Sequence, residues 1–315
     1  MNRPVKLLLA AAVLLALAAV VFFLWARMRP LAAYAAAGRR ALGRAGLETA
    51  RVASPAGEQT FFRGGSGPVL VLLHGAGDQA SAWSLVAPKL LPGRTLVVPD
   101  LAGQGASAPE AGPISVPTLL SGLSAVVDAA APQGKVTIVG NSLGGWLACL
   151  WAKEHPGRVE RLVLVNGGPL KHAAEGITLL PKDRAEARAA VEKLRDPGSI
   201  RVPDFVLDDV VRQAATGPLA RLAETSGEME RFVLDGRLGE LDVPVDLLWG
   251  ASDQLLPLSY AERMRSELPR ARVTELPRCG HVPQQECPAA FAAALGKLLD
   301  GPPPEKAAAV PEAPR

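Results

Sequence analysis

The feature that most constrains the fold of this chain is a series of short, unbroken apolar runs that alternate with helical patterns. Parallel strands buried on both faces have such runs, because helices cover each side of the sheet. The alternation therefore predicts an α/β fold with a mostly parallel, doubly wound sheet and right-handed crossovers. The last predicted strand alternates between apolar and polar residues, which favours a position at the sheet edge. The predicted strands are Val69–Leu73, Thr95–Val98, Val136–Val139, Leu162–Val165, Val245–Trp249 and Ala271–Leu276.

Residues 169–239 interrupt the alternation of strands and helices, because they have a charged, helical pattern that several prolines divide. We interpret them as a helical cap inserted into an α/β core that consists of residues 47–168 and 240–300. One apolar stripe of the cap recurs at helical spacing, which favours either an apolar binding surface or packing on the core. The stripe consists of Val206, Leu207, Val210 and Val211.

The N-terminus carries an unbroken apolar run, Leu7–Ala26. A helix of roughly 20 apolar residues crosses a bilayer, whereas the apolar part of a cleavable signal peptide has about 7–15 residues. Residues 1–29 are therefore predicted to form a membrane anchor. Basic residues flank the run in nearly equal number, so the side of the membrane is not predicted. Residues 30–46 are interpreted as a juxtamembrane helix or linker, and residues 301–315 as a disordered tail.

Composition and spacing exclude several classes of function. The net charge of +3 is spread along the chain without a basic block, so nucleic acid is not the expected partner. The cysteines Cys149, Cys279 and Cys287 form no CxxC pair, and we expect them to be small buried apolar residues. No metal-ligand spacing and no phosphate-binding glycine loop is present, so no cofactor or metal is predicted.

A candidate nucleophile, Ser142, stands in the segment Gly140–Gly145, which reads Gly-Asn-Ser-Leu-Gly-Gly. This is a G-x-S-x-G motif with an apolar strand before it and a helical pattern after it, as the motif requires. The flanking glycines give room for a strained turn that exposes the serine. The helix N-terminus directs the N–H group of Leu143 at a developing oxyanion.

A second oxyanion donor is predicted near Ala76. The segment His74–Gly77 follows the strand Val69–Leu73, where this kind of fold supplies a backbone N–H group to the oxyanion hole. The oxyanion hole is therefore assigned to the backbone N–H groups of Ala76 and Leu143.

A serine nucleophile needs a base, and the base needs an acid that orients it. In enzymes with a serine turn of this kind, the nucleophile, the acid and the histidine follow one another along the chain in that order. Among the four histidines, only His281 lies far enough along the chain to follow a candidate acid. Asp253 follows the strand Val245–Trp249 and is the predicted acid. The alternative position for the acid, after the preceding strand, holds Asn166, which cannot ionise.

Other polar residues are expected to serve structure. His74 is predicted to hold its loop, His155 to cap a helix, and His172 to be a solvated loop residue near the cap, with substrate contact as the alternative. Asp100 is expected to tie the loop that follows it. Asp246 stands inside a predicted buried strand, and the sequence offers no account of a carboxylate there.

The segments that contain His74, Asp100, Ser142, Asp253 and His281 resemble those of α/β-hydrolase-fold enzymes. They occur in that family's order over roughly residues 47–299. The segment Gly280–Pro288 resembles the G-H-x-x-x-x-E-x-P ending of the esterase, lipase and C–C hydrolase branches. One loop departs from the usual D-x-P-G-H-G, because Ala102 and Gln104 replace its proline and histidine. The apolar N-terminus, the G-x-S-x-G-G motif and the segment Ile200–Val206 are together similar to membrane-anchored monoacylglycerol lipases.

The resemblance implies an α/β-hydrolase fold with a helical cap after strand six. It implies a serine hydrolase that cleaves carboxylic esters, such as acylglycerols or other lipid-like acyl esters, through an acyl-enzyme on Ser142. His281 would be the base and Asp253 the acid that orients it. The expected partners are a small-molecule acyl ester and a lipid bilayer.

Two alternatives stay open at this point. One is a C–C bond hydrolase of the meta-cleavage type, which shares the triad and a similar Gly-Asn-Ser-x-Gly-Gly turn. The other is a non-catalytic, membrane-bound pseudohydrolase that binds a lipid or a partner. Dehalogenases and epoxide hydrolases need a carboxylate nucleophile, so Ser142 argues against them. The sequence predicts no oligomeric state.

Overall fold

The computed structural model describes residues 3–172 and 176–305. The strands are β1 (Glu48–Ser54), β2 (Gly57–Gly65), β3 (Val69–Leu73), β4 (Thr95–Pro99), β5 (Val136–Asn141), β6 (Val159–Val165), β7 (Val245–Gly250) and β8 (Arg272–Leu276). They form one eight-stranded sheet in the order β1-β2-β4-β3-β5-β6-β7-β8. From β4 to β8 in this order all neighbours are parallel, whereas β2 is antiparallel to both β1 and β4.

The helices cover both faces of the sheet and continue at the N-terminus. They are α1 (Arg3–Met28), α2 (Pro30–Arg44), α3 (Ala87–Leu90), α4 (Val116–Ala130), α5 (Leu143–Glu154), α6 (Arg184–Lys193), α7 (Asp204–Thr216), α8 (Pro218–Ala223), α9 (Ser226–Met229), α10 (Leu258–Glu267), α11 (Pro283–Glu286) and α12 (Pro288–Asp300). Short 3₁₀ turns lie at Ala80–Trp83, Glu230–Phe232 and Leu238–Glu240. Four helices, α6 to α9, lie between β6 and β7, where the cap was predicted.

The predicted fold class is confirmed, and the six predicted strands are β3 to β8. The strand that alternates, β8, lies at an edge of the sheet. The hairpin of β1 and β2 was not predicted. β1 has no apolar run, and β2 buries the polar side chains of Gln59 and Thr60, so neither strand carries the usual apolar signal.

The sheet separates two apolar layers. On one face α4, α5 and α10 pack against the strands, with Trp151 and Trp249 fully buried among them. On the other face α2, α3 and α12 do so, with Trp83 and Phe291 fully buried. Burial on both faces explains the unbroken apolar runs of β3 to β7.

Asp246 in β7 is held by arginines from both neighbouring strands. Its carboxylate lies 2.6 Å from Arg161 Nε in β6 and 2.8 Å from Arg272 Nε in β8. The side chain of Asp246 is inaccessible to solvent, and that of Arg161 is only 5% exposed. A buried carboxylate is tolerated when it is paired and hydrogen-bonded, which accounts for the charge that the sequence left unexplained.

Within the N-terminal helix α1, the segment Leu9–Met28 has a mean hydropathy of 2.7 and no buried residue. It is long and apolar enough to cross a membrane, and an N-terminal signal sequence can have the same length and composition. The last predicted segment, the disordered tail, falls mostly on residues 306–315, which lie outside the described residues. The limits of the cap, 169–239, stay a prediction.

Residues 30–46 do not form a free linker, because α2 packs on the core. Leu42 is fully buried, and a Cβ atom added to Gly38 would lie 2.8 Å from Ser81 Cβ. Arg39 Nη1 lies 2.7 Å from the buried carboxylate of Asp100. The sequence allowed either a helix or a linker here, and in the structure the segment is the helix α2.

The packing of α2 predicts different outcomes for two N-terminal deletions. Deletion of residues 1–29 leaves α2 in place and is expected to give a folded protein. Deletion of residues 1–46 removes Leu42 and leaves Asp100 without Arg39, so the free energy of unfolding should fall by at least about 3 kcal/mol. Urea denaturation of the two deletion variants, followed by circular dichroism, measures the difference. Equal stability would show that α2 adds nothing to the core.

Candidate active site

Ser142 lies on a strained turn between β5 and α5. Its φ is 53° and its ψ is −119°, a backbone conformation that non-glycine residues rarely adopt. The glycines on either side are required by contact. A Cβ atom at Gly140 would overlap the backbone of Gly144, and one at Gly144 would overlap the carbonyl oxygen of Leu73. The G-x-S-x-G spacing thus lets the chain fold back tightly and leave the serine at the apex.

Two further loops approach this serine closely. A Cβ atom at Gly75, after β3, would lie 3.2 Å from Ser142 Cβ. A Cβ atom at Gly167, after β6, would overlap the backbone of Ser142. Within the described part of the chain, the N–H groups of Ala76 and Leu143 have no hydrogen-bond acceptor. Both predicted oxyanion donors therefore lie on segments adjoining the serine with their N–H groups unpaired.

Asp253 and His281 are brought together from loops far apart in sequence. Asp253 Oδ2 lies 2.7 Å from His281 Nδ1, and the two residues are 3% and 5% exposed. The same oxygen accepts a hydrogen bond from Asn166 Nδ2 at 2.8 Å. Asp253 Oδ1 accepts from the backbone N–H groups of Leu255 at 2.8 Å and Leu256 at 3.0 Å. These bonds fix the carboxylate against the imidazole.

Asn166 has a positioning role that the sequence analysis missed. Its Oδ1 accepts a hydrogen bond from the N–H group of Gly250 at 2.9 Å, so it links the ends of β6 and β7. Its φ is 44°, a left-handed conformation that asparagine tolerates better than most residues. In the sequence, position 166 was only the alternative site for the acid, where an asparagine cannot ionise; in the structure, the Asn166 side chain holds Asp253 in place.

The residue before the serine holds the histidine loop. Asn141 Nδ2 donates to the carbonyl oxygens of His281 at 2.9 Å and Val165 at 3.0 Å. Asn141 Oδ1 accepts from Gln284 Nε2 at 3.1 Å. Both side chains are fully buried, so the turn that bears Ser142 and the loop that bears His281 are joined inside the protein.

Glu286 joins the histidine loop to the cap. Its Oε2 accepts from the N–H group of Gly280 at 2.5 Å, and its Oε1 accepts from that of Asp196 at 2.9 Å. The N–H group of His281 donates to the carbonyl oxygen of Leu194 at 2.8 Å. The glutamate of the G-H-x-x-x-x-E-x-P segment therefore binds the chain just after α6.

The expectation for the cysteines was wrong for two of the three. Cys279 and Cys287 form a disulfide with a Cα–Cα distance of 5.9 Å, which brackets the loop of His281. The fold brings the start of this loop back beside the start of α12, a proximity that cysteine spacing alone does not reveal. Cys149 is free and buried as expected, and its burial raises the pKa of the thiol.

Asp100 and His74 both support the loops around the serine. The Asp100 carboxylate accepts from the N–H groups of Ala80 at 2.8 Å and Ala106 at 2.9 Å. His74 Nε2 accepts from the N–H group of Leu101 at 2.9 Å, so its Nδ1 donates to the adjacent Gly75 carbonyl. Burial lowers the pKa of His74 and favours the neutral ring.

The other two histidines lie elsewhere. His155 ends α5, where its Nδ1 bonds the carbonyl oxygen of Trp151 at 3.0 Å. His172 is exposed, with its ring edge-on to that of Tyr260. Among the described residues, no group of three His, Cys, Asp or Glu side chains could hold a metal ion.

The family model described as the alpha/beta hydrolase family matches residues 70–294. The chain belongs to the α/β-hydrolase family. It is accordingly a hydrolase, and the resemblance seen in the sequence is confirmed.

Relatives of this α/β-hydrolase differ in their substrates. This chain is 31% identical over 252 residues to the 2-hydroxy-6-oxononadienedioate/2-hydroxy-6-oxononatrienedioate hydrolase of Cupriavidus pinatubonensis. The alignment covers 72% of this chain and 85% of the relative. The chain is 32% identical over 240 residues to the pimeloyl-[acyl-carrier protein] methyl ester esterase of Aromatoleum aromaticum, covering 69% and 92%. The crystal structure of a membrane phospholipase A superposes with a TM-score of 0.73 and 27% identity, covering 94% of this chain and 98% of that one.

Proposed function

We propose that this α/β-hydrolase cleaves carboxylic esters of lipid-like substrates through an acyl-enzyme on Ser142. The observation that carries the proposal is the 2.7 Å contact between Asp253 Oδ2 and His281 Nδ1. The Asn141 side chain anchors the loop of this histidine to the turn of the serine. A nucleophile, a base and an orienting acid in this arrangement are what acyl transfer needs.

The reaction follows from the placement of these groups. His281 takes the proton of the Ser142 hydroxyl as its oxygen attacks the acyl carbonyl, and Asp253 stabilises the imidazolium that forms. The N–H groups of Leu143 and Ala76 bind the tetrahedral oxyanion. His281 then protonates the departing alcohol. Water, deprotonated by His281, attacks the acyl-enzyme and releases the carboxylic acid and free Ser142.

Support for esters comes from the similarity to a methyl ester esterase and to a membrane phospholipase A. The apolar helix α1, which ends where α2 docks on the core, favours a substrate that resides in a bilayer. The second candidate is C–C bond hydrolysis of a meta-cleavage product, which the 31% identical relative favours. Assaying a p-nitrophenyl ester series beside a 2-hydroxy-6-oxo-dienoate separates the two by which substrate turns over faster.

Ser142→Ala is expected to abolish ester hydrolysis, with a loss on the order of 10⁴-fold or more, because the triad acts as a unit. The overall fold should survive, since the serine hydroxyl is not part of the core. The measurements are p-nitrophenyl butyrate turnover, circular dichroism, and labelling by a fluorophosphonate, which should modify only the wild type. A folded Ser142→Ala variant with near-native turnover would exclude the proposed nucleophile.

Asp253→Asn is expected to lower turnover by on the order of 10²–10⁴-fold, since the amide favours the wrong tautomer of His281. Asp100→Asn is the matched control. It removes an equally buried carboxylate that pairs with Arg39, so it should lower the melting temperature and leave most of the turnover. Turnover per folded molecule and thermal unfolding are measured for both. If Asp100→Asn loses turnover and Asp253→Asn does not, the acid has been misassigned.

Deletion of residues 1–29 is expected to preserve turnover on short soluble esters. Hydrolysis of long-chain acyl esters in bilayers should fall by roughly tenfold or more, because membrane residence raises the local substrate concentration. Both activities are compared between the full chain and the deletion variant at equal enzyme concentration. Equal losses on the two substrates would show that the N-terminus serves folding and not delivery.

A further inference from the structure

A cleft of about 410 Å³ lies between the oxyanion loop and the cap. Gly77–Gln79 form one side, Leu31 and Ala32 of α2 another, and Val210 of α7 and Leu219 of α8 the third. Its volume is in the range of small-molecule sites. A second cavity of about 460 Å³, between α6 and Ile200, has no residue of the oxyanion loop in its wall. We therefore place the substrate in the first.

The cleft extends from the start of α2, next to the apolar helix α1, to the segment Gly77–Gln79, which directly follows Ala76. Ala32 belongs both to its wall and to a groove lined by Leu24 and Trp25 of α1. Asp78 lines the cleft and is two residues from Ala76, whose N–H group is a proposed oxyanion donor. Since consecutive Cα atoms are about 3.8 Å apart, a substrate whose carbonyl is bound there has its alcohol part within reach of Asp78.

Asp78 is the one ionisable residue among those that line this cleft in the described part of the chain. Its Oδ1 accepts from the N–H group of Gln79 at 2.9 Å, and its Oδ2 accepts from Gln285 Nε2 at 2.5 Å. These bonds fix the carboxyl in place, and each oxygen keeps a lone pair for a further donor. Partial burial raises the pKa of Asp78.

A head group in this cleft therefore meets the Asp78 carboxyl, and no cationic side chain is among the described residues that line the cleft. Hydroxyl groups can donate hydrogen bonds to Asp78, whereas a phosphate offers only acceptors and a second negative charge. Like charges in a partly desolvated site repel, and no arginine or lysine lines the cleft to offset this among the described residues.

We propose that Asp78 determines which alcohol part the enzyme accepts: it binds the hydroxyls of an uncharged head group and excludes a phosphate-bearing one. This inference rests on the proposed ester hydrolysis and adds a specificity-determining residue to it. It also separates this enzyme from the membrane phospholipase A that it resembles in structure.

The test uses the full-length enzyme and its Asp78→Asn variant on three substrates. Monooleoylglycerol and oleoyl-lysophosphatidylglycerol share the acyl chain and are presented in the same mixed micelles, and p-nitrophenyl butyrate has no hydroxylated head group. Asparagine keeps the shape of Asp78, and its amide can still bond Gln79 and Gln285. The wild type should prefer monooleoylglycerol by about tenfold or more in kcat/KM.

Asp78→Asn should lower kcat/KM for monooleoylglycerol by about tenfold and raise it for the lysophospholipid by a similar factor. Turnover of p-nitrophenyl butyrate should stay within about threefold. Asp208→Asn is the matched control, because that exposed carboxylate pairs with Arg184 on the outside of the cap. It should leave the ratio between the two lipids unchanged.

An unchanged ratio between the two lipids in Asp78→Asn would overturn the inference. Equal loss on all three substrates would also overturn it, by showing that Asp78 only supports the oxyanion loop. A folded wild type without activity on p-nitrophenyl butyrate would refute the ester hydrolysis itself, and the role of Asp78 with it.

Discussion

The carboxylate of Asp253 accepts hydrogen bonds from His281, from Asn166 and from two backbone N–H groups, in a place almost closed to solvent. A charge so far from water persists only when its partners hold it. Those partners come from the loops after β6, β7 and β8, whose carboxyl ends lie side by side because the strands are parallel. The sheet thus sets the distance between Asp253 and His281, and the glycines Gly75 and Gly167 let the neighbouring loops pack closely against the turn of Ser142.

Much of this could be predicted from the sequence, because its signals are local. Unbroken apolar runs revealed six strands, and a serine between two glycines after such a run marked the turn at Ser142. What escaped prediction depends on residues that meet only after folding. Asp246 is stabilised by Arg161 and Arg272 across two strand boundaries. Asn166 supports Asp253 through a loop that no periodicity describes.

The packing of α2 on the core could not be predicted from the sequence either. The composition of α2 resembles that of a linker, since alanine and arginine dominate and large apolar side chains are few. In the structure, α2 packs on the core through the buried Leu42, through Gly38 against Ser81 and through the Arg39–Asp100 pair. At its first turn, the Leu31 N–H group donates to Asp209 of α7 at 3.0 Å. The helix therefore contacts the core and the cap at once.

Glu286 bears on how the cap can move. It holds the stretch after α6 and the loop of His281 in one hydrogen-bonded unit, and Ser252 adds a further bond from the acid's loop to Asp196. If the cap moved away as one rigid body, it would break these bonds or displace the loop of His281. The stretch after α6 therefore moves together with the loops of Asp253 and His281, because hydrogen bonds join all three.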